Sequence, residues 1–487
     1  MQLAFGFALS LWFGFAFGNG FFSEETISAF NFGLENEIFN EQVISSFSVM
    51  DYGATGNGQI DDSQAFNKAW KDICNANAGG ETVTLEIPRG KTFLLNPLVF
   101  QGPCKAKAIR IQLGGTLIAP LSTSWANEGV DTWIQFSNVD NLYLDGDGKI
   151  DGRGSIWWQS CMKKSVYGIF FDCKRRPGAL HFNNCNGLQL KGLTHLNSPR
   201  AHISIKNCKD VIVSDLKISA PDESPNTDGI DISDSTSVQI LQSIIATGDD
   251  CVAINAGSSF INITGVVCGP GHGISIGSLG DGGAYDTVEQ VHVKNCTLRD
   301  TQNGVRIKTF QGCSGYARKI SFEKIVLSNA RNPIIINQFY QDKGKFSKGI
   351  MKAGAIEISD VTYSDIRGTS ANDQAIDLRC DNVVGCRNIV MRNIDITPGV
   401  DCPKTYTVCN NAHGTATETQ PRVPCLYRYG DRTVTWRGAT REGVVPGGGV
   451  ARLGGVALAR RRYIHAGVTR ARGKAGSVVA LEADPSC

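Results

Sequence analysis

The stretch VIVSDLKISAPDESPNTDGIDIS (211–233) contains two short segments in which apolar and polar residues alternate. These segments are VIVSDL (211–216) and GIDI (229–232), and alternation with period two is typical of a strand that buries one face. Gly, Pro, Asn, Asp and Ser, which favour turns, fill the residues between them. The stretch therefore predicts a strand, a turn and a second strand, with no helix between the two.

Both kinds of segment recur along the chain, which indicates a repeat architecture. Copies of the first kind begin at 188, 211, 238, 261, 291 and 320, at steps of 23, 27, 23, 30 and 29 residues. The second kind interleaves as HISI (202–205), GIDI (229–232), CVAI (251–254), GISI (273–276), GVRI (304–307) and PIII (333–336). One coil cannot bury its own apolar face, so coils must stack. We predict an all-β fold, a single right-handed parallel β-helix, rather than a β-sandwich or a β-propeller, whose blades need about 40 residues or more.

One segment near the start, DDSQAFNKAWKDICNA (61–76), has helical periodicity instead. Asp62 or Ser63 is its candidate N-cap. The apolar residues that line one face of this helix are Ala65, Phe66, Ala69, Trp70 and Ile73. Because the first coil of a β-helix exposes unpaired strand edges, we predict that this short N-terminal helix caps that coil.

The first twenty residues and the cysteines indicate an oxidising compartment. MQLAFGFALSLWFGFAFGNG (1–20) is an apolar run that ends in small residues, which predicts a cleaved secretory signal. The chain has 16 cysteines and no Cys-x-x-Cys pair, a pattern that favours disulfides over a zinc or redox site. Asn262 and Asn295 begin glycosylation sequons. We expect a secreted glycoprotein that has no membrane contact once the signal is removed.

Residues 427–487 differ in composition from the rest of the chain. They hold eleven Lys and Arg against four Asp and Glu, so that the charge of residues 1–426 sums to about −5. A mildly acidic body does not suit a nucleic-acid partner. We predict that the β-helix domain spans residues 45–426 and that the Gly- and Arg-rich tail is disordered or foreign to the fold. The alternative role for the tail is electrostatic adhesion to an anionic polysaccharide.

A set of polar residues precedes the second kind of strand at a fixed position. Asp228, Asp250 and His272 are 22 residues apart, and Asp249 adjoins Asp250. If 22 residues make one coil, these side chains stack at about the 4.8 Å spacing of neighbouring strands. A single aspartate in such a turn commonly binds only the turn backbone, but clustered carboxylates repel one another and add no stability. Active sites use such clusters to keep one carboxyl protonated beside an ionised one.

Two cations project from the following coil. In GVRIK (304–308), Val305 and Ile307 point inward, so Arg306 and Lys308 project onto the face that carries the carboxylates. A carboxylic acid beside a carboxylate is the catalytic set of glycoside hydrolysis. Because Arg binds a carboxylate bidentately and Lys adds a point charge, we expect the substrate to be a polymer of acidic sugars, a polyuronide.

An ordered series of motifs carrying these residues resembles the plant polygalacturonases of glycoside hydrolase family twenty-eight. The motifs are DYGATGNGQIDDSQAFNKAW (51–70), IDGRGSIWW (150–158), LNSPRAHISI (196–205), SPNTDGIDI (224–232), TGDDCVAIN (247–255), GHGISIGSLG (271–280), RIKT (306–309) and NQFY (337–340). The resemblance covers roughly residues 45–426. It implies an extracellular, cell-wall enzyme that hydrolyses α-1,4-linked galacturonan of pectin, as a monomer and with no metal ion or organic cofactor.

The resemblance also implies a role for each residue of the set. Asp249 is the general acid, and Asp228 and Asp250 hold and deprotonate the attacking water, which inverts the configuration with carboxyl groups about 6.5–9.5 Å apart. His272 tunes the protonation of the acid or positions the sugar. The residues expected to contact the substrate are Arg306, Lys308, Asn226 and Tyr340. The two cations bind its carboxylate.

Two cysteine pairs and one glycine complete the expectations for this region. Cys268 lies 17 residues after Cys251, one coil away, so we predict a disulfide between them below the acid. A second local pair is expected between Cys380 and Cys386. Gly229, next to Asp228, is expected to leave the floor of the cleft without a side chain.

Two other functions are compatible with a β-helix that binds pectin. A β-helical pectate lyase would use Ca²⁺ and a cationic base and would release unsaturated products, whereas the order of the motifs fits hydrolysis better. A catalytically silent β-helix that only binds pectin would not need Asp228, Asp249 and Asp250. Unsaturated products whose formation EDTA abolishes identify a lyase, whereas release of reducing ends that is lost in Asp249→Asn excludes a silent binding protein.

Overall fold

The computed structural model describes residues 45–77, 81–121, 125, 131–165, 168–171, 176–341, 354–400 and 403–426. The predicted signal (1–20) and the predicted tail (427–487) lie outside the described residues. In this part of the chain, successive coils contribute strands to three faces, within which the described pairings are parallel. The prediction of an all-β, right-handed parallel β-helix is confirmed.

Two of the faces belong to one continuous sheet. The strands of the first face are Ser45–Ser48, Thr82–Ile87, Ala108–Leu113, Leu142–Gly146, Gln189–Lys191, Lys209–Ser214, Thr236–Leu241, Ser258–Thr264, Tyr285–Lys294, Ser314–Glu323, Glu357–Ser370, Cys386–Pro398 and Ala412–Gln420. Those of the second face are Asn57–Asp61, Thr92–Leu94, Thr116–Ile118, Lys149–Asp151, Thr194–Leu196, Lys217–Ser219, Ile244–Ala246, Val267–Cys268, Thr297–Arg299 and Val326–Ala330. The end of Glu357–Ser370 extends this second face.

The third face, which we call the site sheet, is a separate sheet of eleven strands in the described residues. Its strands are Leu98–Gln101, Thr132–Ser137, Gly178–Asn183, Ile203–Lys206, Ile230–Ser233, Val252–Ile254, Ile274–Leu279, Asn303–Thr309, Asn332–Asn337, Gln374–Arg379 and Tyr406–Asn410. Its order follows the order of the sequence, because each coil returns to this face after one full turn. Neighbouring residues on this face can therefore come from distant parts of the chain.

The register of the site sheet confirms the predicted 22-residue coil. Ile230 pairs with Val252, and Val252 pairs with Ile274, so two successive coils are each 22 residues long. The next coil is longer, because Ile274 pairs with Val305. These four side chains are fully buried in the interior of the coils. Burying each one contributes roughly 1.5–3 kcal/mol, and the outward residues between them are left free for chemistry.

The predicted capping helix spans Ser63–Asn75 and buries the expected apolar face. Trp70 packs its ring against Phe100 of the first site-sheet strand, with ring centroids 5.1 Å apart, and its Nε1–H donates to the carbonyl of Gln101 at 3.1 Å. Asp62 is the N-cap residue, as predicted, but its side chain makes no capping hydrogen bond. Its carboxylate accepts hydrogen bonds from the backbone of the preceding turn instead, at Thr55 and Gly56.

The structure adds short elements that the periodicity did not predict. A second helix spans Ser155–Cys161, and two 3₁₀ turns span Val49–Tyr52 and Asp281–Gly283. Met162–Ser165 and Gly168–Phe171 form an antiparallel pair beyond the second helix. None of the helices in the described residues is long and apolar enough to cross a membrane.

Disulfides lie near both ends and in the middle of the described solenoid. The predicted pairs Cys251–Cys268 and Cys380–Cys386 are both confirmed. Cys74–Cys104 ties the capping helix to the start of the site sheet, and Cys409–Cys425 lies near residue 426. Such links reduce the number of conformations open to the unfolded chain.

Candidate active site

The predicted polar set lies in the turns that lead into three successive site-sheet strands. The strand residues Ile230, Val252 and Ile274 pair with one another across neighbouring coils. Two residues before each of them, in order, come Asp228, Asp250 and His272. The backbone N–H of Gly229 donates to the carbonyl of Asp250 at 2.9 Å, and that of His272 donates to the carbonyl of Asp249 at 2.7 Å. These bonds hold the three turns one above another, so the structure brings the predicted residues together.

Asp249 is partly exposed on the surface above the turns that carry Asp228, Asp250 and His272, which we call the cleft, and its side chain contacts His272 and Asn226. Its Oδ1 lies 2.8 Å from Nδ1 of His272, and the Nδ2 of Asn226 donates to its Oδ2 at 3.3 Å. The side chain of Asp249 is 16% exposed. A carboxyl group in this position can reach a bound molecule and exchange a proton with His272, as a general acid requires.

Arg176 positions Asn226 from behind. Its Nη2 donates to Oδ1 of Asn226 at 2.8 Å, while Nη1 donates to the carbonyls of Pro199 and Pro225 at 2.7 Å each. The guanidinium is buried. Sequence reasoning missed Arg176, because it belongs to no strand pattern and reaches the site from a coil that begins about fifty residues before Asn226.

Asp250 has the opposite environment from that of its neighbour Asp249. Arg306 Nη2 donates to its Oδ1 at 2.6 Å, and Lys308 Nζ donates to its Oδ2 at 2.9 Å. The hydroxyl of Ser275 also donates to Oδ1, and Nε of Arg306 donates to that hydroxyl. The side chain of Asp250 is 1% exposed. Burial alone would raise the pKa of Asp250, but the charges of Arg306 and Lys308 outweigh it and lower the pKa to about 2.

The predicted substrate cations are therefore also structural partners of Asp250. Their side chains are 11% exposed for Arg306 and 10% for Lys308, because each folds over the buried carboxylate. Lys308 Nζ lies 5.3 Å from the ring centroid of Tyr340, within the range of a cation–π contact. Tyr340 in turn meets Phe310 edge to face. Tyr340 thus forms part of the wall around the ion pairs.

A fourth carboxyl group, Asp231, belongs to the site and was missed by the sequence analysis. It pairs across the sheet with Ala253, and the same outward row continues through Ser275 to Arg306. The signal was present in GIDI (229–232), where Ile230 and Ile232 are buried and Asp231 must point outward. The alternation that located Arg306 would have located Asp231 as well.

Asp228 and Asp231 are held towards their neutral forms. Burial, followed by the negative charge of Asp249, raises the pKa of Asp228 well above its usual value. Burial also raises the pKa of Asp231, and the charges of Asp250 and Asp249 add to this, while Arg200 opposes it; the pKa of Asp231 is about 7. The site therefore combines one strongly ionised carboxylate, Asp250, with two carboxyls that retain protons to unusually high pH.

These pKa values predict that the folded protein is more stable in mildly acidic than in neutral solution. The folded state keeps a proton on Asp231 that the unfolded chain releases above the ordinary aspartate pKa of about 4. Its contribution to stability is complete below that pH and is lost as the pH rises through about 7. We expect the Tm of the wild type to fall by a few degrees between pH 5 and pH 8, and Asp231→Asn to fall less. Equal slopes of Tm against pH for the two proteins would contradict this assignment.

One expectation about the site is wrong, and one distance in it is short. One oxygen of Asp249 and one oxygen of Asp250 lie within 4.8 Å of each other, because the two are consecutive residues of one turn. Gly229 does not form the floor of the cleft. A Cβ at this position would lie 2.5 Å from Cys251 O and from Ile245 Cγ2, so the glycine is needed for close packing between coils.

A metal ion is a poor match for this cluster. Asp249, Asp250 and His272 form the one group of His, Cys, Asp or Glu in the described residues whose ligand atoms come within 4.8 Å of one another. Both oxygens of Asp250 already accept hydrogen bonds from cations, and Nδ1 of His272 is engaged by Asp249. An ion would have to displace these partners and bind beside two buried positive charges, which the electrostatics disfavour.

The comparisons with known proteins agree with this chemistry. Residues 74–419, a span that includes all of the site residues named above, match the family described as glycosyl hydrolases family 28. A probable polygalacturonase of Arabidopsis thaliana is 47% identical over 78% of this chain and 80% of its own length. A polygalacturonase of Persea americana is 41% identical over 75% of this chain and 76% of its own. The crystal structure of endo-xylogalacturonan hydrolase from Aspergillus tubingensis superposes with a TM-score of 0.61 at 26% identity, covering 77% of this chain and 99% of that one.

Proposed function

The chain belongs to the glycosyl hydrolases of family 28, and we propose from this premise that it hydrolyses α-1,4-galacturonosyl linkages of pectin with inversion of configuration. The observation that carries the proposal is the contrast between two adjacent carboxyls. Asp249 faces the cleft and contacts His272, whereas Asp250 is kept ionised by Arg306 and Lys308. Acid–base hydrolysis of a glycoside requires one carboxyl group that can reach the linkage and a second that is ionised.

In this proposal Asp249 is the general acid. It donates its proton to the glycosidic oxygen as the bond to the anomeric carbon breaks. His272, 2.8 Å from Asp249 Oδ1, holds the carboxyl in one orientation and exchanges protons with it between turnovers. Asn226 holds the second oxygen of Asp249, and Arg176 in turn holds Asn226, so that the acid cannot rotate away from the linkage.

Asp228 and Asp250 act on the nucleophilic water. The negative charge of Asp249 is one cause of the raised pKa of Asp228, so Asp228 ionises more readily once the proton resides on Asp249. A proton on the acid therefore prepares the base. Asp250 adds a fixed negative charge and is too buried and too fully paired to attack the sugar itself. Water, deprotonated by Asp228, is the nucleophile in this proposal, and the configuration inverts.

The two cations have hydrogen-bonding capacity left for the substrate. Lys308 has three N–H donors and Arg306 has five, and Asp250 and Ser275 use only part of this set. The remaining donors bind the carboxylate of the galacturonate at the cleaved linkage, with Tyr340 beside Lys308 as a further contact. Recognition of the acid group and ionisation of Asp250 thus depend on the same pair of residues.

We also propose that the protein is a secreted monomer of the cell wall. The apolar run 1–20 as signal, the disulfides and the exposed sequon residues Asn262 and Asn295 support this location. A tagged chain expressed in plant cells should lose residues 1–20 and reach the medium or wall fraction.

Incubation of the purified protein with polygalacturonate tests the proposed activity. We expect reducing ends to increase without any ultraviolet-absorbing unsaturated product, and EDTA to leave the rate unchanged, because the acid–base set needs no metal ion. The products sampled over time distinguish monomer release from chain ends from the ladder that internal cleavage gives. Unsaturated products that EDTA abolishes would establish a lyase, and binding without cleavage would establish a silent pectin-binding protein; either result would overturn the proposal.

A further inference from the structure

A groove lies on the site sheet, on the amino-terminal side of the coils that carry the catalytic residues. It has a volume of about 350 Å³. The residues that line it are Gln135, His181, Phe182, Asn183, Lys206 and Asn207. Phe182 is buried in the core and forms the floor. The other lining residues are polar, which suits a hydrated sugar better than an apolar ligand.

The groove is in line with the catalytic residues. His181 pairs with Ser204, and Ser204 pairs with Asp231, which begins the outward row that leads to Arg306. In the next row, Asn183 pairs with Lys206. Lys206 therefore lies one coil, about 4.8 Å along the sheet, from the coil that carries Asp228 and Asp231. A polymer that crosses the catalytic turns and continues over the sheet in this direction enters the groove.

The coil from Arg200 to Lys206 carries two positive charges that are not paired with a carboxylate in the described part of the chain. Both side chains are exposed, and no ion pair is found for either within the described part of the chain. By contrast, Arg306 and Lys308 are largely buried against Asp250. Arg200 is also near enough to His181 and Asp231 to lower the pKa of each. The accessible cations of this coil therefore lie beside the groove rather than at the reaction centre.

The remaining groove residues match the hydroxyl groups of a sugar. Nε2 of His181 is buried beside Gly178. Burial, and then the charge of Arg200, lowers the pKa of His181 to about 4, so the ring is neutral in mildly acidic solution and forms an uncharged part of the groove wall. The Oδ1 of Asn183 accepts a hydrogen bond from Asn207, and its Nδ2 group can donate to a sugar hydroxyl.

We propose that this groove is a second carboxylate-binding subsite, in which Lys206 binds the acid group of a galacturonate unit away from the cleaved linkage. This inference rests on the proposed function, because it names the polymer that crosses the catalytic turns. Arg200 strengthens the local positive potential. The subsite gives the enzyme a preference for longer, unesterified chains, since a methyl ester removes the charge that Lys206 binds.

Kinetics on oligogalacturonates of increasing length test the subsite. Lys206→Ala should raise KM for hexagalacturonate roughly two- to fivefold, the loss expected for an exposed ion pair, and leave kcat unchanged. The increase should shrink for the shortest substrate that is cleaved, and Lys206→Arg should restore the wild-type KM. Lys217→Ala is the matched control. Lys217 is an exposed lysine in the strand Lys217–Ser219 of the second face, away from the site sheet, so its replacement should change neither KM nor kcat.

A binding measurement separates this inference from the proposed function. In the Asp249→Asn background, calorimetry with hexagalacturonate should give a weaker Kd when Lys206→Ala is added, by the same factor as the change in KM. Equal KM and Kd for the Lys206→Ala and Lys217→Ala variants would overturn the subsite while leaving the activity intact. A wild type that binds hexagalacturonate through Lys206 without cleaving it would instead overturn the proposed activity alone.

Discussion

Replacing Asp249 by asparagine is expected to lower kcat on polygalacturonate by about a hundredfold or more, the usual scale of general acid–base catalysis. The amide keeps the size of the side chain but has no acidic proton to give to the leaving oxygen. Asp249 faces the cleft and forms no buried ion pair with Arg or Lys in the described structure, so the variant should keep the Tm of the wild type. Initial rates of reducing-end release and a melting curve measure both quantities.

Asp210→Asn is the control for this experiment. Asp210 is an exposed residue of the first face with positive φ, a conformation that asparagine tolerates, so its replacement tests the chemical change without touching the cleft. We expect wild-type kinetics from it. Asp249→Asn with an undiminished rate would show that another group donates the proton, and Asp228 would be the next candidate.

Replacing Asp250 by alanine is expected to remove both activity and stability. Arg306 and Lys308 would be left buried without their carboxylate, and breaking a buried pair in this way costs about 3–5 kcal/mol. We therefore expect a fall of that size in the free energy of unfolding, measured by denaturant titration, together with a loss of reducing-end release at least as large as that of Asp249→Asn.

A double variant separates the two effects of Asp250. Adding Arg306→Met to Asp250→Ala removes one of the unpaired charges and should recover part of the unfolding free energy. Activity should not return, because the fixed negative charge beside the water and one substrate cation are both missing. If Asp250→Ala unfolds at the wild-type denaturant concentration, the carboxylate is not the centre of a buried ion-pair network.

The fold was predictable because its determinant is local and repeated. The apolar pairs of each coil, such as Ile230 and Ile232, recur at a spacing that only stacked coils satisfy, and the observed register from Ile230 to Val252 and Ile274 has that spacing. The capping helix was predictable from its apolar face. Its N-cap residue, Asp62, was predictable as well, but the missing side-chain cap was not, because the carboxylate of Asp62 has competing donors in the preceding turn.

The site was predictable as a set but not in its pairing. Equal spacing brought Asp228, Asp250 and His272 to one edge, and alternation brought Arg306 and Lys308 to the same face. Spacing cannot show which way a turn directs two consecutive side chains, so it did not show that Asp249 meets His272 while Asp250 turns towards the cations. The short separation of the two carboxyls follows from that same choice.

The stereochemistry of the first product tests the central claim most directly. One oxygen of Asp249 and one oxygen of Asp250 lie within 4.8 Å of each other, yet the burial and pairing of Asp250 leave it unable to act as a nucleophile. Proton NMR of the anomeric region, recorded as polygalacturonate is cleaved and before the product mutarotates, distinguishes the two mechanisms. We predict that the β-anomer appears first, by inversion of the α-linkage through direct attack of water. Initial appearance of the α-anomer would contradict the account.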